Sequence, residues 1–222
     1  MSRKAIISRP AYPLGCPIDH LPKHRIEALS DGVYAIVLTL AVLNITIDPN
    51  IPLNKELDTL FIGILDYAIV FLVLIRFWIS NHISFNRVKH VDETMIFLCL
   101  ASLFFVALVP ASMDILFEYG DSSLPVAIFA VLNFMLGLLS TTMVMYSYKP
   151  DIIREDVDPS DMSMRCRVPA ALTALSLVII FTSLVLNWDQ SLYIYILGIP
   201  ISYLMRKMYE KEKKSEKSMT FE

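Results

Sequence analysis

The sequence predicts an all-α membrane protein with six transmembrane helices per subunit and both termini in the cytoplasm. Composition is the first reason. Of 222 residues, 55% are hydrophobic, and the mean hydropathy is +0.57. Ordinary globular chains hold roughly 45–50% apolar residues. Spacing is the second. The apolar residues gather into runs close to the ~20 residues that a helix needs to cross a bilayer. Charge placement is the third. If six runs cross in alternation, every one of the nineteen Lys and Arg falls on one side, except Lys55 and Arg76. The positive-inside rule assigns that side to the cytoplasm. The formal charge of −3 says less than this asymmetry.

The elements follow in order. Residues 1–24 form a basic arm broken by Pro10, Pro13, Pro17 and Pro22. No apolar core precedes a small-residue cleavage site, so the arm is not read as a signal peptide. The first span is Arg25–Ile47, closed by a turn at 48–52. The second covers about Leu60–Ile79, holds Asp66 and Arg76, and ends in FWISNHISF. The third, about Met95–Phe117, contains Pro110 and is expected to kink there. The fourth covers about Pro125–Tyr146. Lys149–Arg167 reads as an exposed loop with room for one short helix. The fifth span covers about Val168–Leu186, with Pro169 at its start, where a missing N–H costs little. Trp188 follows in a turn and suits the membrane interface. The sixth covers about Leu192–Met208, and 209–222 is a charged tail. The transmembrane unit is therefore 25–208, between an arm and a tail.

The first span carries the most unusual pattern. Arg25, Glu27, Ser30 and Asp31 open it, and sixteen uncharged residues, 32–47, follow. Ionisable groups at the mouth of a span need partners or water, which makes them functional candidates. An interfacial anchor gives the same charge pattern. Arg25 and Asp31 are six apart and do not face each other on a helix, so Asp31 needs a partner elsewhere. The end of the second span comes to the same membrane face. There the Trp78 indole, the Asn81 amide and the His82 ring can each donate to Asp31. Within the first span, Ile36, Thr39, Leu40 and Leu43 follow helical spacing and share one face. A bulky apolar face broken by one hydroxyl suits a narrow passage, and it equally suits ordinary helix packing.

Other chemistries leave no mark. Metalloprotease, nucleophile-elbow and phosphate-loop motifs are missing, and no enzymatic activity is expected. Cys16, Cys99 and Cys166 are scattered, and His20, His24, His82 and His90 lack ligand spacing. No cofactor, metal or nucleic-acid partner is expected. Tyr119-Gly120 lies in EYGDS, so the TVGYG filter of ordinary potassium channels is absent.

Arg25-x-x-x-Leu29-Ser30-Asp31, followed by Ala35-Ile36 and Thr39-Leu40, resembles the first-helix signature of the transmembrane protein 175 family of potassium channels, in its prokaryotic single-repeat branch. Trp78-x-x-Asn81-His82 after the second span and a proline late in the third extend the resemblance over about Arg25–Pro110. Leu29 stands where the family has Phe, and Asn81 where it has His. An amide hydrogen-bonds but does not titrate. The resemblance implies a homotetramer in the cell membrane whose four first helices line a central pore. Ile36 would then be the main constriction, Leu43 a second ring, Leu40 a further lining residue and Thr39 the selectivity hydroxyl. Arg25, Ser30, Asp31, Trp78, Asn81 and His82 would brace the pore helix. The permeant ion would be potassium, weakly preferred over sodium. A secondary transporter, a proton-permeable channel and a non-conducting scaffold are the alternative readings.

Overall fold

The computed structural model describes residues 22–43, 45, 50, 52–119, 122–198, 200, 201, 203, 204, 207 and 208. The expected N-terminal arm, apart from its last three residues, and the charged tail 209–222 lie outside the described residues. Six α-helices are described: α1 (Lys23–Val42), α2 (Leu53–Arg87), α3 (Glu93–Ala107), α4 (Val109–Glu118), α5 (Ser123–Tyr146) and α6 (Met162–Val185). A 3₁₀ helix, Asp189–Leu197, follows α6.

Among the described residues, four segments are long and apolar enough to cross a membrane: Leu53–Arg87, Glu93–Glu118, Ser123–Tyr146 and Pro159–Val185. The chain is thus a multi-pass helical membrane protein. The expected first span is less apolar than these because Lys23, Arg25, Glu27 and Asp31 crowd its first half. It also starts two residues early, and its α-helical bonding stops at Val42. Leu43 caps it in a tightened turn, with its N–H bonded to Leu40 O at 3.0 Å. The expected sixth span opens as the 3₁₀ helix and continues through helical residues 198, 200, 201, 203, 204, 207 and 208.

α2 is longer than the expected Leu60–Ile79. Its 35 residues rise at about 1.5 Å each to roughly 50 Å, against a hydrocarbon core of about 30 Å. Apolar composition marks only the part that meets lipid, while backbone hydrogen bonding continues beyond it. The third span breaks at Leu108, and Pro110 occupies the first turn of α4, where no intrahelical N–H is missed. Asp92 caps α3 through the Met95 N–H at 2.9 Å and also accepts from the Tyr146 hydroxyl at the end of α5.

Two expectations need correction. Pro169 is not at a helix start: α6 begins at Met162, after a 3₁₀ turn at Pro159–Asp161, so the proline lies inside it. The charged residues before Val168 hid this, because they are polar yet good helix formers. Nor is Lys149–Arg167 simply an exposed loop. Ile152 is 2% exposed. The backbone pairs with the α2–α3 turn through Lys89 N–H to Ile152 O and Arg154 N–H to Arg87 O, each 2.8 Å. Arg154 also holds Asp156 with two bonds of 2.9 and 2.8 Å, and its guanidinium keeps that carboxyl below the usual carboxylate range.

The core runs between α1, α2, α3 and α5, with Tyr34, Phe77, Met95 and Phe129 fully enclosed. Buried serines recur at the helix contacts, and several bond to their own helix: Ser84 to Ser80 O, Ser112 to Val109 O and Ser176 to Leu172 O. Small residues let backbones approach where lipid supplies no hydrophobic drive between helices. One close approach is that of Gly137 of α5 to α6. A Cβ there would sit 3.0 Å from Thr173 Cβ and 3.1 Å from its Cα. Gly137→Ala is expected to destabilise the fold by about 1–3 kcal/mol through overpacking, read as a lower melting temperature in detergent. Adding Thr173→Ala is expected to recover part of the loss. An unchanged melting temperature for Gly137→Ala would show that α5 and α6 separate freely.

Candidate functional site

α1 has two unlike faces. Ile26, Ser30, Tyr34, Val37 and Ala41 are buried, at the i, i+4, i+8, i+11 and i+15 positions of one stripe. That stripe packs on α2, α3 and α4. The opposite face is open: Ile36 is 58% exposed, Leu40 43% and Leu43 69%, with Thr39 between them. Leu29, Gly32 and Ala35 extend this face toward the charged end. Outward aromatic side chains such as Phe61, Phe97 and Phe181 on other helices suit a lipid contact. The α1 face combines small residues and a hydroxyl with the Arg25 and Asp31 charges at its mouth.

Thr39 donates to its own helix, with Oγ1 2.8 Å from Ile36 O and 3.1 Å from Ala35 O. Its proton is thereby spent on the backbone, and its oxygen lone pairs are left outward. That is the polarity a cation requires.

The buried stripe is pinned at three heights. At the charged end, the Trp78 indole donates to Asp31 Oδ1 at 2.8 Å. One residue away, the buried Asn81 amide donates to Ser30 Oγ. Halfway along, the Tyr67 hydroxyl donates to Leu38 O at 3.2 Å. Lys23 reaches across to Val88 O at 3.2 Å and lies 3.7 Å from Glu27. His82 does not reach Asp31. It stacks on Trp78 with ring centroids 5.6 Å apart, and its Nε2 meets the Asn86 amide at 2.9 Å. Arg25 is exposed at this end, and among the described residues no carboxylate pairs with it.

Of the three donors that the sequence offers to Asp31, Trp78 takes it, Asn81 takes the neighbouring serine, and His82 supports the indole. Lys23 and Tyr67 were not singled out by sequence reasoning. Tyr67 had one visible signal, a hydroxyl inside an apolar run, but nothing in the sequence names a backbone carbonyl as its partner.

The same segment is recognised by comparison with known proteins. Residues 25–110 match the model of the family described as endosomal/lysosomal potassium channel TMEM175. This segment is similar to the TMEM175 family. It contains the whole of the open stripe, the Asp31–Trp78 and Ser30–Asn81 contacts, and α3. A potassium channel of Streptomyces collinus is 38% identical over 98 residues, which are 43% of this chain and 48% of that protein. The endosomal/lysosomal proton channel TMEM175 of Gallus gallus is 22% identical over 62% of this chain and 28% of its own length. The alignments thus span about half or less of these two relatives. A lysosomal potassium-selective channel TMEM175 homolog from Chamaesiphon minutus shares the fold, with a TM-score of 0.58 at 22% identity. That match covers 79% of this chain and 97% of the other.

The brace makes a quantitative prediction. Removing Ser30 leaves a buried amide without its acceptor, which costs about 1–3 kcal/mol. In a double-mutant cycle of Ser30→Ala and Asn81→Ala, the two hydrogen-bonded partners are expected to couple by roughly 0.5–3 kcal/mol. Thermal unfolding in detergent reads this, and strict additivity would mean that the contact contributes nothing.

Proposed function

We propose that this chain is one subunit of a cation channel that conducts potassium in preference to sodium, with α1 of four copies lining the pore. The observation that carries the proposal is the open Ile36–Leu43 stripe on a helix whose other face is pinned to its own bundle. The names of the TMEM175-family relatives support it.

In this reading each level of α1 becomes a ring of four. Ile36 forms a dry constriction, because a short apolar gap expels water and raises the energy of a passing ion. Leu43 makes a second apolar ring, and Leu40 lines the space between. Thr39 presents hydroxyl oxygens to an ion that has shed part of its water. Potassium, the larger ion, loses that water more easily than sodium, so a preference arises without a carbonyl filter. The positive-inside rule sets the Ser30–Asp31 end in the cytoplasm. The brace then holds the mouth of the pore helix at a fixed angle to α2. Arg25, Asp31, Trp78, Asn81 and His82 act by position and touch no ion in this scheme.

Asp66 is the carboxylate placed well inside α2. It faces the Tyr193 hydroxyl rather than a second carboxylate, which gives no coupled pair of the kind a transporter uses.

Flux into liposomes tests the proposal. Wild type is expected to pass potassium faster than sodium. Ile36→Asn is expected to raise total flux and narrow the preference by wetting the ring. Thr39→Val is expected to keep potassium flux while reducing the preference. Flux that ignores Ile36→Asn would move the constriction off α1. Absence of flux from folded protein would remove the channel reading.

A further inference from the structure

A second site lies away from α1. A cavity of about 370 Å³ opens between α2, α5 and α6, at the same end of the bundle as the brace. Small-molecule clefts occupy about 300–1,000 Å³. It runs along α2 from Arg76 to Arg87, eleven residues, or roughly 16 Å at 1.5 Å per residue. Arg165 of α6 stands at its exposed rim, and Tyr203 also lines it. Most of the remaining wall is aliphatic.

Three arginines therefore line one elongated, largely apolar void. Among the described residues, none of the three forms an ion pair. Arg87 is the most telling. It is 7% exposed, and its enclosed Nη1 has no hydrogen-bond partner. The Tyr148 ring lies 5.2 Å from its guanidinium carbon. That contact favours the cation but does not satisfy the N–H groups. Asp161 is the carboxylate whose field reaches Arg87, and Arg165 opposes it with a like charge. The local excess is positive, and an enclosed charged donor without an acceptor is expensive.

An anion resolves this excess, and the shape selects the kind. A small inorganic anion leaves the aliphatic length of the void unfilled. A lipid fills both parts. We propose that the cavity binds a phosphate group carried by an anionic membrane lipid. The phosphate lies between Arg87 and Arg165, the glycerol esters face Arg76, and acyl chain follows the aliphatic wall. Basic pockets between transmembrane helices on the cytoplasmic side are suited to such headgroups. The channel reading plays no part in this inference.

The test uses delipidated full-length protein in a neutral detergent. Melting temperature is followed against short-chain phosphatidylglycerol, short-chain phosphatidylcholine and inorganic phosphate, and bound lipid is counted by native mass spectrometry. Phosphatidylglycerol is expected to raise the melting temperature more than phosphatidylcholine. Arg87→Gln and Arg165→Gln are each expected to weaken it roughly five-fold, from the ~1 kcal/mol that one arginine contributes near an anionic headgroup. Lys55→Gln, at the opposite end, is expected to leave binding unchanged. Arg165 is exposed, so its substitution tests the site even if Arg87→Gln fails to fold. Equal stabilisation by both lipids, or wild-type affinity in Arg165→Gln, overturns the site. Stabilisation by inorganic phosphate but not by phosphatidylglycerol overturns the lipid assignment.

Discussion

The junction of α1 with α2 is the constraint on which the rest of the structure depends. Asp31 accepts from the Trp78 indole, and Ser30 accepts from the Asn81 amide. These two contacts use adjacent residues on α1 and residues one helical turn apart on α2. A pair of bonds at that spacing sets rotation as well as distance. Once α1 cannot rotate, its buried stripe and its open stripe are both determined. The outward placement of Ile36, Thr39 and Leu43 is then a consequence of polar chemistry several residues away. Tyr67 holding Leu38 O prevents the upper half from splaying.

The polar end of the bundle repeats this logic. Lys23, the α2–α3 turn, the Asp92 cap, Tyr146 and the segment around Ile152 all meet there. Among the described residues, hydrogen bonds to backbone carbonyls and caps do the joining, with few ion pairs. Such contacts suit a membrane–water boundary. Water is near enough to hydrate charges, yet backbone groups inside the bundle need partners. The positive charge gathered at this end therefore has two consequences. It is the asymmetry on which the proposed orientation rests, and part of it lines a cavity between α2, α5 and α6.

Packing deeper in the bundle relies on smallness. Gly137 lets α5 meet α6 at a distance no larger residue permits, and buried serines return their protons to their own helices. Lipid tails solvate leucine as well as another helix does, so close van der Waals contact has to supply the preference for one arrangement.

Much of this was legible in the sequence. The all-helical membrane class follows from run length and composition, because a spanning helix needs about twenty apolar residues wherever it occurs. The interruption of the third span beside Pro110 and the need of Asp31 for a partner on another helix follow from covalent geometry and helical spacing. The resemblance over Arg25–Pro110 could be read from a few spaced residues. Tertiary structure alone decided the rest. Whether Trp78, Asn81 or His82 would reach Asp31 depended on the crossing of two helices, which no local pattern encodes. The burial of Ile152 in a charged stretch arose because a distant turn supplied backbone partners. The cavity with its three arginines draws on α2 and α6, some eighty residues apart for Arg87 and Arg165. Hydropathy and spacing are properties of neighbours along the chain, whereas charge left without a partner is a property of neighbours in space.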